Sequence, residues 1–177
     1  MLDDTSLIQQ ACNTPQAFGA LYDKYVDRIF GYAYRLVRDE ALAQDVTAVT
    51  FEKALHNLSR YHPETPFLAW LYRIAHNEAM SQHRRRKWLT PWHEWHGKSG
   101  QRATETAVLA HERHQQLHHA LNQLSLKDRD VLTLRFFEGL SCAETAVIFN
   151  CSVDTVYQRQ CRALQRLERQ LLTDDNQ

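Results

Sequence analysis

Apolar residues recur at three- and four-residue intervals through most of the chain, and the faces they form delimit the helices. Phe18, Leu21, Tyr22, Tyr25, Ile29, Tyr32, Ala33 and Leu36 keep one face apolar for about six turns. Thr14 and Pro15 precede this run as a cap followed by proline at the first helical position. Asp39 can cap a second helix carrying Leu42, Val46, Val49, Phe51, Ala54, Leu55 and Leu58. That helix is apolar on more than one side. A core helix explains this most simply; one buried face plus one partner-binding face also fits. After the loop SRYHPETP, Thr65 and Pro66 repeat the cap-proline signal. The third helix then carries Phe67, Trp70, Leu71, Ile74, Ala75 and Asn77, and closes on Arg84, Arg85, Arg86 and Lys87.

The periodicity fades from residue 89 to about 106. Thr90-Pro91, Gly97, Ser99 and Gly100 read as a linker, although Trp92 and Trp95 suggest that part of it docks. A polar helix follows to Leu124, with Leu117, Leu121 and Leu124 turned toward a second domain. Ser125 with Asp128 has the spacing of a capping box. Gly139 marks a helix stop that needs a left-handed residue. Ser141 with Glu144 is a second capping box, opening a short helix that ends at Asn150, a residue tolerant of left-handed backbone. Ser152 caps the last and longer helix.

Short helix, tight turn and long helix predict a helix-turn-helix. Ala146 is small enough for the helices to approach, and Val156 faces back to the core. On the last helix Val153, Val156, Ala163, Leu164, Leu167 and Leu171 form an apolar stripe. Arg159, Arg162, Arg166 and Arg169 run along another side. Its first turns offer Asp154, Thr155, Gln158 and Arg159, side chains able to reach base edges and phosphates in a major groove. A solvated helix in an ordinary bundle is the plainer reading, but caps, turn and small residue all agree on the motif.

Composition narrows the class. The chain has 177 residues, five glycines and four prolines, which favours an all-α protein of one or two small domains. A formal net charge of zero argues against nucleic-acid binding by bulk charge alone. Charge is instead local: residues 61–90 hold five basic and two acidic residues. Four basic residues in succession exceed what a helix dipole requires. Tyr61, Trp70, Tyr72 and Trp88 interleave aromatic rings with these cations, a mix suited to single-stranded nucleic acid.

No apolar run is long enough to span a membrane, and no signal peptide opens the chain. Cys12, Cys142, Cys151 and Cys161 lack paired metal spacing, which points to a reduced, cytoplasmic protein. His111, His114 and His118 share a helix face and His93 lies near His96, without the partner ligands of a zinc site. No metal or cofactor is expected. No nucleophile-base pair or phosphate-cradling glycine loop is present, so no enzyme is expected either.

The stretches FGALYDKYVDRIFGYAYRLV, AQDVTAVTF and FLAWLYRIAHNEAMSQHRRR, followed by LNQLSLKDRDVLTLRFFEGLSCAETAVIFNCSVDTVYQRQCRALQRL, resemble the extracytoplasmic-function group of bacterial RNA polymerase sigma factors. The resemblance implies an all-α protein of two small helical domains joined by a flexible linker. Residues 1–88 would bind core polymerase and recognise and melt the -10 element, 89–106 would be the linker, and 107–177 would read the -35 element. Core enzyme and promoter DNA are the implied partners. An anti-sigma factor holding the chain inactive is a further one, with no direct membrane insertion by this chain.

Carried over by position, Asp45 matches the acidic residue of the core-binding helix, with Val46, Val49 and Phe51 beside it. Ala48 and Val49 stand where the family usually has Gln and an acidic residue, which makes this face more apolar. Tyr61 and His62 fall in the loop that holds a flipped-out -10 base. Trp70, Arg73, Asn77, Arg84 and Arg85 fall on the strand-opening helix, where Ser81 replaces a common aspartate. Asp154, Thr155, Gln158, Arg159 and Arg162 fall on the -35-reading helix, and Asn150 replaces the usual glycine of its turn. The alternative is a helix-turn-helix regulator whose first domain is a sensor or dimerisation module; such a domain has no need of a basic-aromatic third helix. A third reading, a metal- or redox-responsive adaptor, would require bound metal.

Overall fold

The computed structural model describes residues 4–89, 116, 117 and 119–174, and every regular element among them is helical. The linker with Trp92 and Trp95, and the histidines at 93, 96, 111, 114 and 118, lie outside the described residues.

The chain opens with a helix that its pattern did not announce. α1 (Asp4–Asn13) buries only Leu7 and Ala11, one turn apart, too short a stripe to stand out. Its Asp4 receives Lys24 Nζ at 2.6 Å and the Tyr25 hydroxyl. Burial, and then this bond, push the Tyr25 hydroxyl up to about 12. α2 (Phe18–Val37) begins later than the cap-proline signal predicts. Pro15–Ala17 form one 3-10 turn first, with the Ala17 N–H on the Thr14 carbonyl. Arg38 ends the helix in the left-handed region at φ 59°.

α3 (Glu40–His56) is capped as expected, Asp39 accepting the Leu42 N–H at 2.6 Å. It packs against both α2 and α4 (Phe67–Leu89). Two packed sides explain its broad apolar surface, and they bury Thr47 and Thr50 as well. Each threonine donates its hydroxyl to the carbonyl four residues back, Ala43 and Val46, so neither enters the core unpaired. Pro66 stands just outside α4 rather than at its first position, its carbonyl accepting the Trp70 N–H.

The second half follows its caps closely. Residues 119–123 are helical, and Leu121 and Leu124 are buried beside Leu117. α5 (Leu126–Leu132) takes the Asp128 N–H on Ser125 Oγ. The reciprocal half of the box differs: the Asp128 carboxylate takes the Ser125 hydroxyl and Arg166 instead. α5 widens into a five-residue π turn, Thr133–Phe137, and Gly139 stops it at φ +70°. α6 (Cys142–Phe149) has both bonds of the Ser141–Glu144 capping box. Asn150 is left-handed, with φ 50° and ψ 52°. α7 (Val153–Asp174) is capped by Ser152, which accepts the Thr155 N–H.

Ala146, Val156 and Ala163 fill the seam between these helices. The stripe on α7 is narrower than its sequence suggests. Val156, Ala163 and Leu167 form it, at steps of seven and four. Val153, at the first position of the helix beyond the core's edge, is 47% exposed, and Leu164, beside Ala163, is 38% exposed.

The two halves do not stand apart. Leu126, Leu134 and Ile148 join the apolar core built by α1–α4. Around that contact two carboxylates of the second half are buried against the first. Asp130, its side chain 1% exposed, accepts the Tyr32 hydroxyl at 2.7 Å and meets His76 Nδ1 at 2.6 Å. Glu138, 7% exposed, accepts the Tyr72 hydroxyl and lies 3.4 Å from both Arg28 and Arg35. Burying a carboxylate is costly unless donors surround it, and here each has two or three. Arg129, on the same helix as Asp130, is less well served. Its Nε is buried without a hydrogen-bond partner, and burial, then the Arg38 charge, hold its guanidinium down at about 10.

Candidate nucleic-acid interface

Three surfaces carry the residues singled out in the sequence. The first is the outer side of α3. Helical periodicity turns positions 46, 50 and 54 inward and 45, 48, 49 and 52 outward. Asp45, Ala48 and Glu52 are exposed and Val49 is half-buried. Val46 and Phe51 are not on this surface: they are 0% and 4% exposed. Phe51 meets Tyr22 and Phe18 edge-on, at 4.8 and 6.3 Å. A binding face on α3 therefore reduces to Asp45, Ala48, Val49 and Glu52, and Val46 and Phe51 serve the core beneath it.

The second surface joins the loop after α3 to the start of α4. Tyr61, Phe67 and Trp70 form a ring cluster with centroids 5.3–5.5 Å apart. The Tyr61 hydroxyl donates to the Thr65 carbonyl at 2.5 Å, which closes the loop on itself and leaves His62 exposed at its tip. Half-buried Trp70 then lines a cleft of about 370 Å³ with Lys53, Asn57, Arg60, Ile74 and Asn77. An aromatic wall flanked by two cations and two amides can stack a base and neutralise its phosphates. Arg73 is exposed but does not line this cleft. Lys53, Asn57 and Arg60 were not picked out from the sequence. Their only signal is two basic residues seven apart, Lys53 in the last turn of the apolar α3 and Arg60 just beyond it.

Lys53 is tied to α4. Its Nζ lies 2.6 Å from Glu78, which also accepts Gln82. Burial alone would raise the Glu78 carboxyl; the bonds from Lys53 and Gln82 outweigh it and hold the group below its usual range. Farther along α4, Asn77, Arg84 and Arg85 are exposed and line a second cleft of about 610 Å³, whose other wall comes from α5, α6 and α7.

The third surface is the start of α7. Asp154, Gln158 and Arg162 are exposed at four-residue steps, so they share one face. Thr155 and Arg159 sit to one side and are half-buried. The Thr155 hydroxyl is 2.8 Å from Ser152 Oγ and belongs to the cap. Arg159 lies over the Phe149 ring at 5.7 Å, and that ring packs against His76 at 4.9 Å, so Arg159 turns into the cleft between the halves. Arg135 braces the motif, donating to Gln160 at 2.8 Å and to the Leu140 carbonyl.

Comparison with known proteins matches both halves of the chain to family models. Residues 21–89 match Sigma-70 region 2, and residues 114–167 match Sigma-70, region 4. The chain is 34% identical over 167 residues to the RNA polymerase sigma-H factor of Pseudomonas aeruginosa, covering 88% of this chain and 86% of that protein. It is 34% identical over 163 residues to the ECF RNA polymerase sigma factor BldN of Streptomyces coelicolor. That match takes in 90% of this chain but only 61% of BldN. Among solved structures, CnrH in complex with the cytosolic domain of CnrY aligns with a TM-score of 0.70 and 28% identity, over 97% of this chain and 98% of CnrH.

Proposed function

Because the chain belongs to the sigma-70 family of RNA polymerase sigma factors, in its extracytoplasmic-function group, we propose that it directs core polymerase to a set of promoters and starts transcription there. The observation that carries this reading is the coexistence, in one chain, of three separate surfaces: an acidic outer face on α3, a basic-aromatic cleft at Trp70, and a helix-turn-helix presenting Gln158 and Arg162. A regulator that only bound DNA would need the last alone.

Each surface has its task. Asp45, with Ala48, Val49 and Glu52, meets the core enzyme. Trp70 and its cleft take a base flipped from the -10 element, and Arg73, Asn77, Arg84 and Arg85 follow the opened strand. Asp154, Gln158 and Arg162 enter the major groove at the -35 element, joined by Arg159 once the halves separate. Residues 1–88 and 107–177 act as the two working units. The chain performs no catalysis of its own; polymerisation belongs to the core enzyme. No helix among the described residues is long and apolar enough to cross a membrane, in keeping with work in the cytoplasm.

An anti-sigma factor completes the reading. CnrH, similar to this chain along its length, was solved in complex with a second protein, the cytosolic domain of CnrY, and on this chain the apolar Ala48 and Val49 give an inhibitor a foothold beside Asp45. Run-off transcription with purified core polymerase tests the whole proposal. Specific transcripts should depend on adding this chain, and failure to initiate from any genomic fragment would overturn it.

A further inference from the structure

The larger of the two clefts is built by both halves of the molecule, and its charges are unbalanced. Arg84 and Arg85 come from α4, Lys127 from α5 and Arg159 from α7. Two carboxylates also reach it, but each is already engaged. Glu78 holds Gln82 and Lys53, a further cation of the lining, and also feels the Arg85 charge; Asp130 holds Tyr32 and His76. Among the described residues, Arg84, Arg85, Lys127 and Arg159 have no carboxylate within ion-pair distance. Four cations from three helices thus face one space of about 610 Å³, a size typical of small-ligand sites, which run to roughly 300–1,000 Å³. Closing the two halves brings these like charges together at a Coulombic cost. A multiply charged anion would remove that cost.

We propose that this cleft binds a small polyphosphate anion, either the phosphate chain of a nucleoside polyphosphate or its inorganic counterpart, and that the bound anion holds the two halves closed. One phosphate group carries about two charges at most and cannot serve opposing walls that offer four; a chain of phosphates can. Arginines supply planar donor pairs matched to phosphate oxygens. The apolar part of the lining offers no open stacking platform, since Phe149 is already covered by Arg159 and His76. Recognition therefore rests on the phosphates. The walls belong to separate halves, so only the closed molecule can present all four cations, and by linkage the anion stabilises closure. Closure engages Asn77, Arg84, Arg85 and Arg159 together. On the functional reading above, on which this consequence rests, those are promoter contacts, so the anion would withhold them from DNA.

Lys127 gives a clean test because it lies in the cleft and outside the promoter and polymerase surfaces. It sits in the first turn of α5, where an acidic replacement favours the helix dipole, so Lys127→Glu should fold. The full chain, without polymerase or DNA, is titrated by calorimetry with inorganic tripolyphosphate, ATP and orthophosphate at constant ionic strength. Amide hydrogen exchange is followed along α4 and α6. Tripolyphosphate should saturate one site per chain and slow exchange where α4 meets α6. Orthophosphate should bind about ten-fold more weakly or worse, and Lys127→Glu should weaken tripolyphosphate by about ten-fold, the worth of one charge-assisted contact. Lys127→Arg should restore binding. Equal affinity for ATP and tripolyphosphate assigns recognition to phosphates alone, and tighter ATP adds the nucleoside. Absence of saturable binding, binding indifferent to Lys127→Glu, or binding without slowed exchange would each overturn the proposal. None of these results depends on transcription, so the run-off assay can fail or succeed separately.

Discussion

The Tyr32 hydroxyl donates to Asp130 Oδ1 at 2.7 Å across 98 positions of sequence. It does so in a site where Asp130 is almost wholly enclosed and its other oxygen meets His76. The pair joins α2 to α5, and burial followed by the Asp130 charge push the Tyr32 hydroxyl well up, so the phenol remains a donor at any physiological pH. A contact this deep fixes how the two halves meet.

Asp130→Ala should loosen that meeting. It strands the Tyr32 hydroxyl and the His76 ring nitrogen, and a buried donor left without a partner costs about 1–3 kcal/mol. Thermal unfolding should shift down and the radius of gyration from small-angle scattering should rise. If both stay at wild-type values, the carboxylate does not hold the closed arrangement.

Asp45→Arg should weaken association with core polymerase while leaving the melting temperature of the free chain unchanged, because Asp45 is exposed. Truncating or reversing one partner of a desolvated interfacial charge pair costs roughly 2–5 kcal/mol. Surface plasmon resonance against immobilised core reads the loss, and unaltered affinity would remove Asp45 from the interface.

Gln158→Ala should cost about 1–3 kcal/mol of promoter binding if its amide reads a base edge, and should relax preference at one position of the -35 element. A mobility-shift series over single-base variants distinguishes this from backbone positioning. Equal weakening on every variant would make Gln158 a phosphate contact.

Acid should release α4 from α3. Glu78 is held below its usual range in the folded chain, so its contribution is present above the ordinary carboxylate range. It is lost as pH falls through the lowered folded value. Glu78→Gln should therefore flatten the fall of stability in acid while lowering stability at neutral pH. Parallel urea titrations of both proteins across the acid range would expose the opposite trend.

Arg129→Met should raise stability. The guanidinium carries an unpartnered Nε and a neighbouring like charge from Arg38, and apolar replacement of a poorly compensated buried charge is often stabilising. A gain of about 1 kcal/mol corresponds to roughly 2–4 °C in melting temperature at this chain length. A drop measured by calorimetry would mean that the arginine stem packs better than the thioether.

Local signals were legible, and long-range ones were not. Asp39, Ser141 with Glu144, Asn150 and Ser152 announced their helix ends because capping uses neighbours within four residues. α1 escaped notice because two buried residues do not make a periodic stripe. Val46 and Phe51 were read as contact residues by position along α3, but the helix buries two of its sides and leaves only Asp45, Ala48, Val49 and Glu52 outside. Asp130 and Glu138 carry no local signal of burial. Their donors, Tyr32, His76, Tyr72, Arg28 and Arg35, lie 54 to 110 positions away, and nothing in local spacing pairs them. The same holds for the large cleft, whose walls meet only when the halves do.

Synthesis runs from the first half to the second, and the buried carboxylates belong to the second. A ribosome finishes α2, α3 and α4 while Asp130, Glu138 and Ile148 have yet to be added. At about 5–20 residues per second, the interval between Leu89 and Ile148 lasts roughly 3–12 s. Until Asp130 and Glu138 are made, the polar atoms of Tyr32, Tyr72 and His76 lack the carboxylates they later bond. A nascent chain therefore passes through an uncovered state that the finished chain re-enters only by breaking its own contacts. Translation rate over residues 89–148 then sets how long each new molecule remains open to capture.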